Sequence, residues 1–564
     1  MSKLVQQATE QLRQRLVDAA NAAMAAGALP QGDVPDFAIE VPADRTHGDY
    51  ATNMAMVSAK TFRQAPRKIA EIITEHLDLS DTYLDRCEIA GPGFINFFLT
   101  PQFNIDVMQD IAKLGKDYGR SDYGKGEKIM VEFVSANPTG PMHMGNARGG
   151  ALGDCLAAVL DVAGYNVWRE FYVNDAGNQI EKFANSLNAR YLQIYKGEDA
   201  IPFPEDGYQG EDIKDRAAEF AAIYGEEFVE TSEEVRKAAL VGYALPKNIE
   251  KMQADLNKYR ITYDKWFLES ELHQNGEVAE TIELLKQRGM TYEQDGALWY
   301  KATEFGAEKD DVLVRQNGNP TYFAADIAYH RNKFEKRGFD RCIDIWGADH
   351  HGHVARMKGA MNAVGLDGDK LDVILMQLVR LMQDGEVVRM SKRTGKAIQL
   401  GDLLEEVPVD SARFFFTMRE ANTQMEFDLD LAVKEDSQNP VYYVQYARAR
   451  ICSIFRALAE DGIHLRPCTD EELAMLTAPA EVELIRHLAA YTDQIILAAK
   501  DYNPSVITRY VVELATLFHK FYDACRVKGE DEHLTAARMA LCDATATVIC
   551  NVLTMFKIST PEKM

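Results

Sequence analysis

The sequence predicts an α/β protein in which a doubly wound, Rossmann-like parallel-sheet domain stands between an N-terminal α+β domain and a C-terminal all-helical bundle. Three observations lead there. Leu4, Ala8, Leu12, Leu16 and Ala20 recur four apart, the repeat of one helix face. From Ile129 onward, apolar strand-like runs alternate with helical segments, the pattern of β–helix–β units. Beyond about residue 410 the periodicity is almost purely helical.

The opening helix ends at Gly27 and Pro30, both helix stops. "GPGFINFFL" reads as a strand with both faces apolar or nearly so, and completes an α+β domain over residues 1–112. The polar linker "GKDYGRSDYGKGEK" leads to the strand "IMVEFVSA". Leu152, Cys155, Leu156, Val159 and Leu160 mark the next helix, Gly164 stops it, and "NVWREFYVND" is a second strand. Such a β–helix–β unit is parallel and right-handed. The alternation continues through "LWY", "DVLVR", a helix from Ala324 to Phe334, "RCIDIWGAD", "HVARMKGAMNAVG" and "LDVILMQLVRL". These elements place the Rossmann-like domain at 113–405 with an insertion around 176–300, a connecting helical segment at 406–440 and the bundle at 441–564.

Composition narrows the function. A chain of 564 residues suggests three or four domains, and 46% hydrophobic residues suffice for large cores. Acidic residues outnumber basic ones, 87 to 62, for a net charge of −25, which argues against a generic nucleic-acid coat or a membrane-surface protein. Local basic faces still permit an RNA partner. Eight cysteines contain no C-x-x-C pair, so no zinc ribbon and no structural metal are expected. The start "MSKLVQQATEQLRQRL" is amphipathic rather than signal-like, and no uninterrupted apolar run approaches about 18 residues. A cytoplasmic protein without a membrane partner is the expectation.

Two segments carry the chemistry. "GRSDYGKG" is a near miss for a phosphate loop: Gly126 stands where a hydroxyl should hold magnesium, and the segment precedes a strand instead of following one. "VEFVSANPTGPMHMGNARGGALGDC" is a better phosphate site, at the carboxyl end of the first parallel strand and the start of a helix. Gly140 and Pro141 shape its corner, Gly145 lets a nucleotide approach the backbone, and His143 can donate to a phosphate oxygen. Read alone, it is better taken as a turn with a solvent-exposed histidine. "GEVVRMSKRTGKAIQL" supplies Arg389, Lys392, Arg393 and Lys396 between glycines, a loop able to close cations over a polyphosphate. In "GADHHGH", His350, His351 and His353 with Asp349 read as metal ligands or as nucleotide and substrate contacts. Tyr322 and Asp326, four apart, share one helix face, although Asp326 also suits a helix N-terminal turn. Tyr442, Tyr443, Tyr446, Arg448 and Arg450 interleave aromatics with cations, either an RNA-stacking surface or core tyrosines beside solvated arginines.

Together, His143-Met144-Gly145-Asn146 and Arg389-Met390-Ser391-Lys392-Arg393 resemble the H-x-G-H and K-M-S-K-S motifs of class I aminoacyl-tRNA synthetases. "HGDYATNMAM", "VEFVSANPTGPMH", "FYVNDAGNQI", "PFPEDGYQGE", "WGADHHGH", "RMSKRTG" and "PVYYVQYARARICSI" are similar to the arginyl-tRNA synthetase family, from about residue 40 to the last helices. Asn146 departs from the first motif's second histidine, and Arg389 from the second motif's first lysine. The resemblance implies activation of L-arginine by Mg-ATP and transfer to the 3′-terminal ribose of its tRNA. It implies catalytic roles for His143, Asn146 and Lys392. ATP contacts would come from Pro141, His143, Gly145, Asn146, His350, His353, Met390, Ser391 and Lys392. Arginine contacts would come from Glu132, Asn137, Tyr322, Asp326 and Asp349. Tyr442, Tyr446, Arg448 and Arg450 would meet tRNA in an anticodon-binding helical domain, while the first domain touches the tRNA elbow. A monomer is expected. A small-molecule nucleotidyltransferase, which shares the H-x-G-H corner, and a metal-dependent phosphohydrolase are the alternatives.

Overall fold

The N-terminal helix runs Lys3–Ala25, and its spaced apolar residues Ala8, Leu12, Leu16 and Ala20 are buried. It packs on helices Pro66–Glu75 and Pro101–Leu114. Beside them lies a four-stranded antiparallel sheet in the spatial order Ile39–Glu40, Tyr50–Thr52, Phe94–Leu99, Leu84–Ala90. The computed structural model describes residues 3–42, 44–388 and 398–564.

The central domain is built on β1 (Lys128–Glu132), α1 (Met144–Val162), β2 (Asn166–Val173), β3 (Lys265–Leu268), α2 (Tyr322–Arg331), β4 (Arg341–Gly347), α3 (His351–Val364) and β5 (Leu371–Met376). The five strands are all parallel, in the order β5-β4-β1-β2-β3. Strand order reverses between β1 and β4, and ligands bind outside the carboxyl ends at such a switch point. Alternate residues of β1 enter different cores. Ile129 and Val131 join the cluster that contains α1, whereas Met130 joins the one containing α2 and α3. Both faces are thus covered, which explains the unbroken apolar run. Helix α1 approaches the sheet closely at Gly153, where a Cβ would stand 2.1 Å from the Phe133 ring.

Three expectations about strands need correction. "LWY" and "DVLVR" do not continue the parallel sheet: Ala297–Tyr300 and Asp311–Val314 form a separate antiparallel sheet with Thr291–Gln294. The reason is connection length. Asp295 (φ 51°) and Gly296 (φ 73°) make a two-residue hairpin turn, and a parallel crossover needs a dozen or more residues. "LDVILMQLVRL" is two strands: β5 lies in the parallel sheet, while Val379–Gln383 pairs with Glu386–Val388 and Met425–Asp428. Strand β3, "KWFL", escaped the periodicity because four residues give no readable repeat. Between β2 and β3, helices Asn178–Lys196, Glu211–Tyr224 and Glu233–Lys258 enclose a core of their own around Phe183, Leu187, Tyr191 and Phe220.

The C-terminal helices include α4 (Pro440–Glu460), α5 (Ser505–Ala524) and α6 (Glu532–Met555). Helix α6 is long and apolar enough to cross a membrane, but Ala537, Leu541, Val548 and Val552 are buried against neighbouring helices. Arg413, fully buried, ties this region to the central domain. It donates to Asp154 of α1 (2.5 Å) and to the carbonyls of Phe556 (2.7 Å) and Tyr259 (3.0 Å).

Candidate functional site

Strand β1 ends on Glu132, and the chain then bends hard. Val134 (φ 72°) and Ser135 (φ 36°) both occupy the left-handed region, a costly place for a β-branched valine. The bend lets the Ser135 hydroxyl donate to Glu132 (2.8 Å) and accept from the Tyr172 N–H of β2 (3.1 Å).

Helix α2 continues into a π-helical turn, Asn332–Lys336, a local widening that recurs at functional sites. It carries Lys333 inward, fully buried, where it donates to Glu132 (2.6 Å) and to both oxygens of Asp344 on β4 (2.9 and 3.0 Å). His330 lies between two carboxylates, with Nε2 3.0 Å from Asp344 and Nδ1 3.2 Å from Asp326. His353 of α3 meets the other Asp326 oxygen at 2.7 Å. Opposite, Glu269 accepts from the Tyr172 hydroxyl (2.8 Å), and the Asn174 amide, oriented to suit both neighbours, donates to Glu269 (3.2 Å) and to the Ala176 carbonyl (3.1 Å).

These groups line a cavity of about 370 Å³ that includes Glu132, Glu269, Tyr322, Asp326, His350 and His353. Its electrostatics follow from burial in competition with charge. Burial pushes Glu132 above the usual carboxylate range even though Lys333 pulls it down. Burial also opposes ionisation of Asp344 and Asp326. Lys333 and His330 nevertheless hold Asp344 low, and hydrogen bonds from His330 and His353 hold Asp326 well below its ordinary value. For His330, burial and the Lys333 charge oppose protonation, yet the flanking Asp326 and Asp344 raise it to about 9. Burial raises Glu269 to about 7, with Asp175 and Asp326 adding to the rise and the Tyr172 hydrogen bond opposing it.

A second cavity, about 360 Å³, adjoins the turn into α1 and is lined by Asn137, Gly140, Pro141, His143, Asn146 and Tyr208. Here His143 and Asn146 cap α1 reciprocally. The Gly145 N–H donates to His143 Nδ1 (3.2 Å), and the His143 N–H donates to Asn146 Oδ1 (3.0 Å). A Cβ on Gly145 would stand 3.0 Å from the His143 ring, so glycine permits this cap. With Nδ1 accepting, the proton of a neutral His143 sits on Nε2, a donor at the helix N-terminus. Partial desolvation lowers the His143 pKa and favours that neutral form, although the residue's outer edge stays exposed. The same corner is pinned to the far side of the second motif: the Leu400 N–H donates to the Met142 carbonyl (2.9 Å) and the Met144 N–H to the Ile398 carbonyl (3.3 Å).

The structure therefore gathers Glu132, Tyr322, Asp326, His350 and His353 around one cavity, and Asn137, Pro141, His143 and Asn146 around the other. Asn137 does not share a cavity with Glu132, because the Val134–Ser135 bend parts them. Asp349 is exposed on the rim, and its side chain lines neither cavity. His353, expected at ATP, is bound to Asp326 and set against Trp346 (5.3 Å between rings). Asp326 bonds histidines rather than helix-end N–H groups, contrary to the simple N-terminal-turn reading. Met390, Ser391 and Lys392, with Arg389, Arg393 and Lys396, lie outside the described residues.

On α4, Tyr446 is 40% exposed and stacks on His519 (5.8 Å), while the Arg450 guanidinium covers the Tyr522 ring (4.3 Å). Tyr442 is half-buried. Arg448 differs from its expected outward role, because its guanidinium turns inward to the thiols of Cys550 and Cys452, 2.7 Å each.

Sequence reasoning missed Lys333, His330 and Glu269. The first two carried a readable signal, since Asp326, His330 and Lys333 recur at i, i+4 and i+7 on one helix face. Glu269 was invisible because the strand it follows was not recognised.

Three family models match the chain: the arginyl tRNA synthetase N terminal domain over residues 6–99, the class I (R) tRNA synthetase catalytic domain over 108–437, and the DALR anticodon binding domain over 444–564. The arginine–tRNA ligase of Acetivibrio thermocellus is 56% identical over 564 residues, covering 100% of each chain. That of Caldanaerobacter subterraneus is 57% identical with the same full coverage. The solved Thermus thermophilus arginyl-tRNA synthetase aligns with a TM-score of 0.72 at 21% identity, over 98% of this chain and 100% of that one, a likeness of fold.

Proposed function

Because the chain belongs to the arginyl-tRNA synthetase family, we propose that its first cavity holds the arginine side chain and that the α1 corner holds the triphosphate of ATP. The chain is an arginine–tRNA ligase, an enzyme of protein biosynthesis. The phosphohydrolase and nucleotidyltransferase alternatives are not favoured beside full-length relatives of that name.

The observation that carries the site assignment is charge balance. Glu132, Asp326, Asp344 and Glu269 crowd one cavity; Lys333 and His330 bond the first three, His353 also meets Asp326, and Glu269 is bonded by the uncharged Tyr172 and Asn174 with His273 3.6 Å away. A surplus of desolvated carboxylate suits a planar cation with forked N–H donors, which a guanidinium is and an ammonium is not. Asp326 and Glu269 are assigned to the guanidinium, Tyr322 to the wall beside it, and Glu132 and Asn137 to the reacting end.

The chemistry then needs positioning more than covalent help. The arginine carboxylate oxygen attacks the α-phosphorus, the bond to the bridging oxygen breaks, and pyrophosphate leaves. The His143 Nε2–H, the N–H groups of α1 and the Lys392 ammonium neutralise charge gathering on the phosphates. Mg²⁺ arrives as part of the nucleotide substrate. A hydroxyl of the 3′-terminal ribose next attacks the arginyl carbonyl, and AMP leaves. Tyr446 and Arg450 are assigned to RNA, and the working enzyme is assigned to the cytoplasm as a monomer.

Charging of total tRNA with each amino acid in turn tests this. Arginine alone should be esterified. Asp326→Asn should raise the arginine KM roughly ten- to hundredfold, the loss of a charge-assisted hydrogen bond, and leave the KM for ATP near its original value. An unchanged arginine KM would move the side-chain site elsewhere.

A further inference from the structure

We propose that the inserted helical unit positions the arginine pocket through a relay, Tyr208–Gln179–Tyr322, in which Gln179 and Tyr208 act on the pocket as positioning residues. The proposal rests on arginine occupying the first cavity.

Tyr322 is the first residue of α2 and lines that cavity. Its ring packs on Gly177, where a Cβ would stand 2.9 Å from the ring edge; Gly177 also has φ 75°, a conformation that side chains resist. Two residues on, the Gln179 backbone N–H donates to the Tyr322 hydroxyl (2.9 Å). That N–H belongs to the first turn of helix Asn178–Lys196, where N–H groups have no intrahelical acceptor. Since the Tyr322 oxygen accepts there, its own proton is directed to a different acceptor. The Gln179 side chain in turn accepts from the Tyr208 hydroxyl. Tyr208 is held to the same helix by its N–H, which donates to Ser186 Oγ (2.9 Å).

Tyr208 also lines the second cavity, beside Asn137 and His143. The relay thus joins the walls of the two cavities through one helix start. Gln179 lines neither cavity, so the hold of Tyr208 on the arginine pocket passes through Gln179 to Tyr322. A looser Tyr322 would weaken arginine binding without slowing the chemistry of arginine once bound.

A double-mutant cycle on the full chain tests this, using amino-acid-dependent ATP–pyrophosphate exchange with tRNA present and Asp326→Asn as the control. Tyr208→Phe should raise the arginine KM about three- to tenfold, the worth of one hydrogen bond, and by more than it raises the ATP KM, which is read alongside because Tyr208 also lines the second cavity. Tyr322→Phe should raise the arginine KM comparably, and the double variant should be no worse than Tyr322→Phe alone, because both changes cut one relay. Gly177→Ala should raise the KM further. Thermal unfolding confirms that each variant is folded, and Tyr208→Phe, which only removes a hydroxyl, keeps the test open if Gly177→Ala does not fold. Additive effects in the double variant, or a Tyr208→Phe enzyme with unchanged arginine KM, would overturn the relay while Asp326→Asn still shows its effect. If Asp326→Asn also leaves the arginine KM unmoved, the pocket assignment fails and the relay falls with it.

Discussion

Two clusters of buried charge in the central domain are balanced in opposite ways. Around Asp154 of α1, cations are in excess: Arg413, Lys557 and Arg169 approach to 2.5, 2.9 and 3.4 Å. Burial opposes the ionised form of Asp154, but these neighbours outweigh it and hold its carboxyl below the usual range. Asp154 and Arg413 are both fully buried, and Arg413 also spans three segments of chain. Under the first cavity the excess is acidic: Glu132, Asp326 and Asp344 share Lys333 and His330, His353 also meets Asp326, and Glu269 rests on the Tyr172 hydroxyl and the Asn174 amide with His273 3.6 Å away. Buried charge is expensive unless paired. A buried carboxylate met by more than enough cations locks the fold, whereas a cavity with surplus acid is completed by a cationic ligand.

The sharpest way to break this contrast is to remove a cation from each side. Arg413→Met should cost about 3–5 kcal/mol of stability, read from the denaturant midpoint, because it strips a partner from Asp154 and two buried carbonyls. The arginine KM of the folded fraction should not move. Lys333→Met leaves Glu132 and Asp344 facing each other, and should cost about 3 kcal/mol and also raise the arginine KM. A purely stabilising role for Lys333 would make the cavity floor a second lock.

pH sharpens the contrast next. Glu269, raised to about 7, is neutral below that pH and charged above it. Arginine binding should therefore tighten as pH rises, with KM falling up to about tenfold between roughly pH 6 and 8, and Glu269→Gln should flatten the profile. His330 has the opposite sign. Its folded pKa, about 9, exceeds the ordinary 6.5, so the stability it contributes is complete below 6.5 and fades as pH rises through 9. The smallest effect belongs to the α1 corner. Asn146→Ala should cost about 1 kcal/mol, the worth of a cap, with adenylate formation within about tenfold of the parent. His143→Ala should cost more in single-turnover adenylate formation, since it removes the Nε2 donor as well.

Much of this was legible beforehand. The order of β1, α1 and β2 followed from apolar runs and glycine stops, because both sheet faces are covered and the strands are continuously apolar. His143 and Asn146 stood out by their place at a strand–helix corner. Their mutual hydrogen bonds did not, because capping depends on backbone angles that the letters leave open. The hairpin of Thr291–Tyr300 was misjudged although its Asp295–Gly296 pair was in view. Glu132 and Asp326 were found singly, but the surplus they create was hidden. It arises when the fold brings Asp344 and Glu269 beside them, and the network that holds it forms only when the π-turn carries Lys333 inward and α3 brings His353 across, contacts between residues far apart in sequence.

The central claim is that the acid surplus of the first cavity selects a guanidinium. Calorimetric titration of the full chain with arginine and with citrulline, its neutral near-isostere, tests it directly. Arginine should bind, and citrulline should bind at least about a hundredfold more weakly, because its neutral ureido group offers Asp326 and Glu269 no charge-assisted hydrogen bond. Comparable affinities for the two would contradict the account.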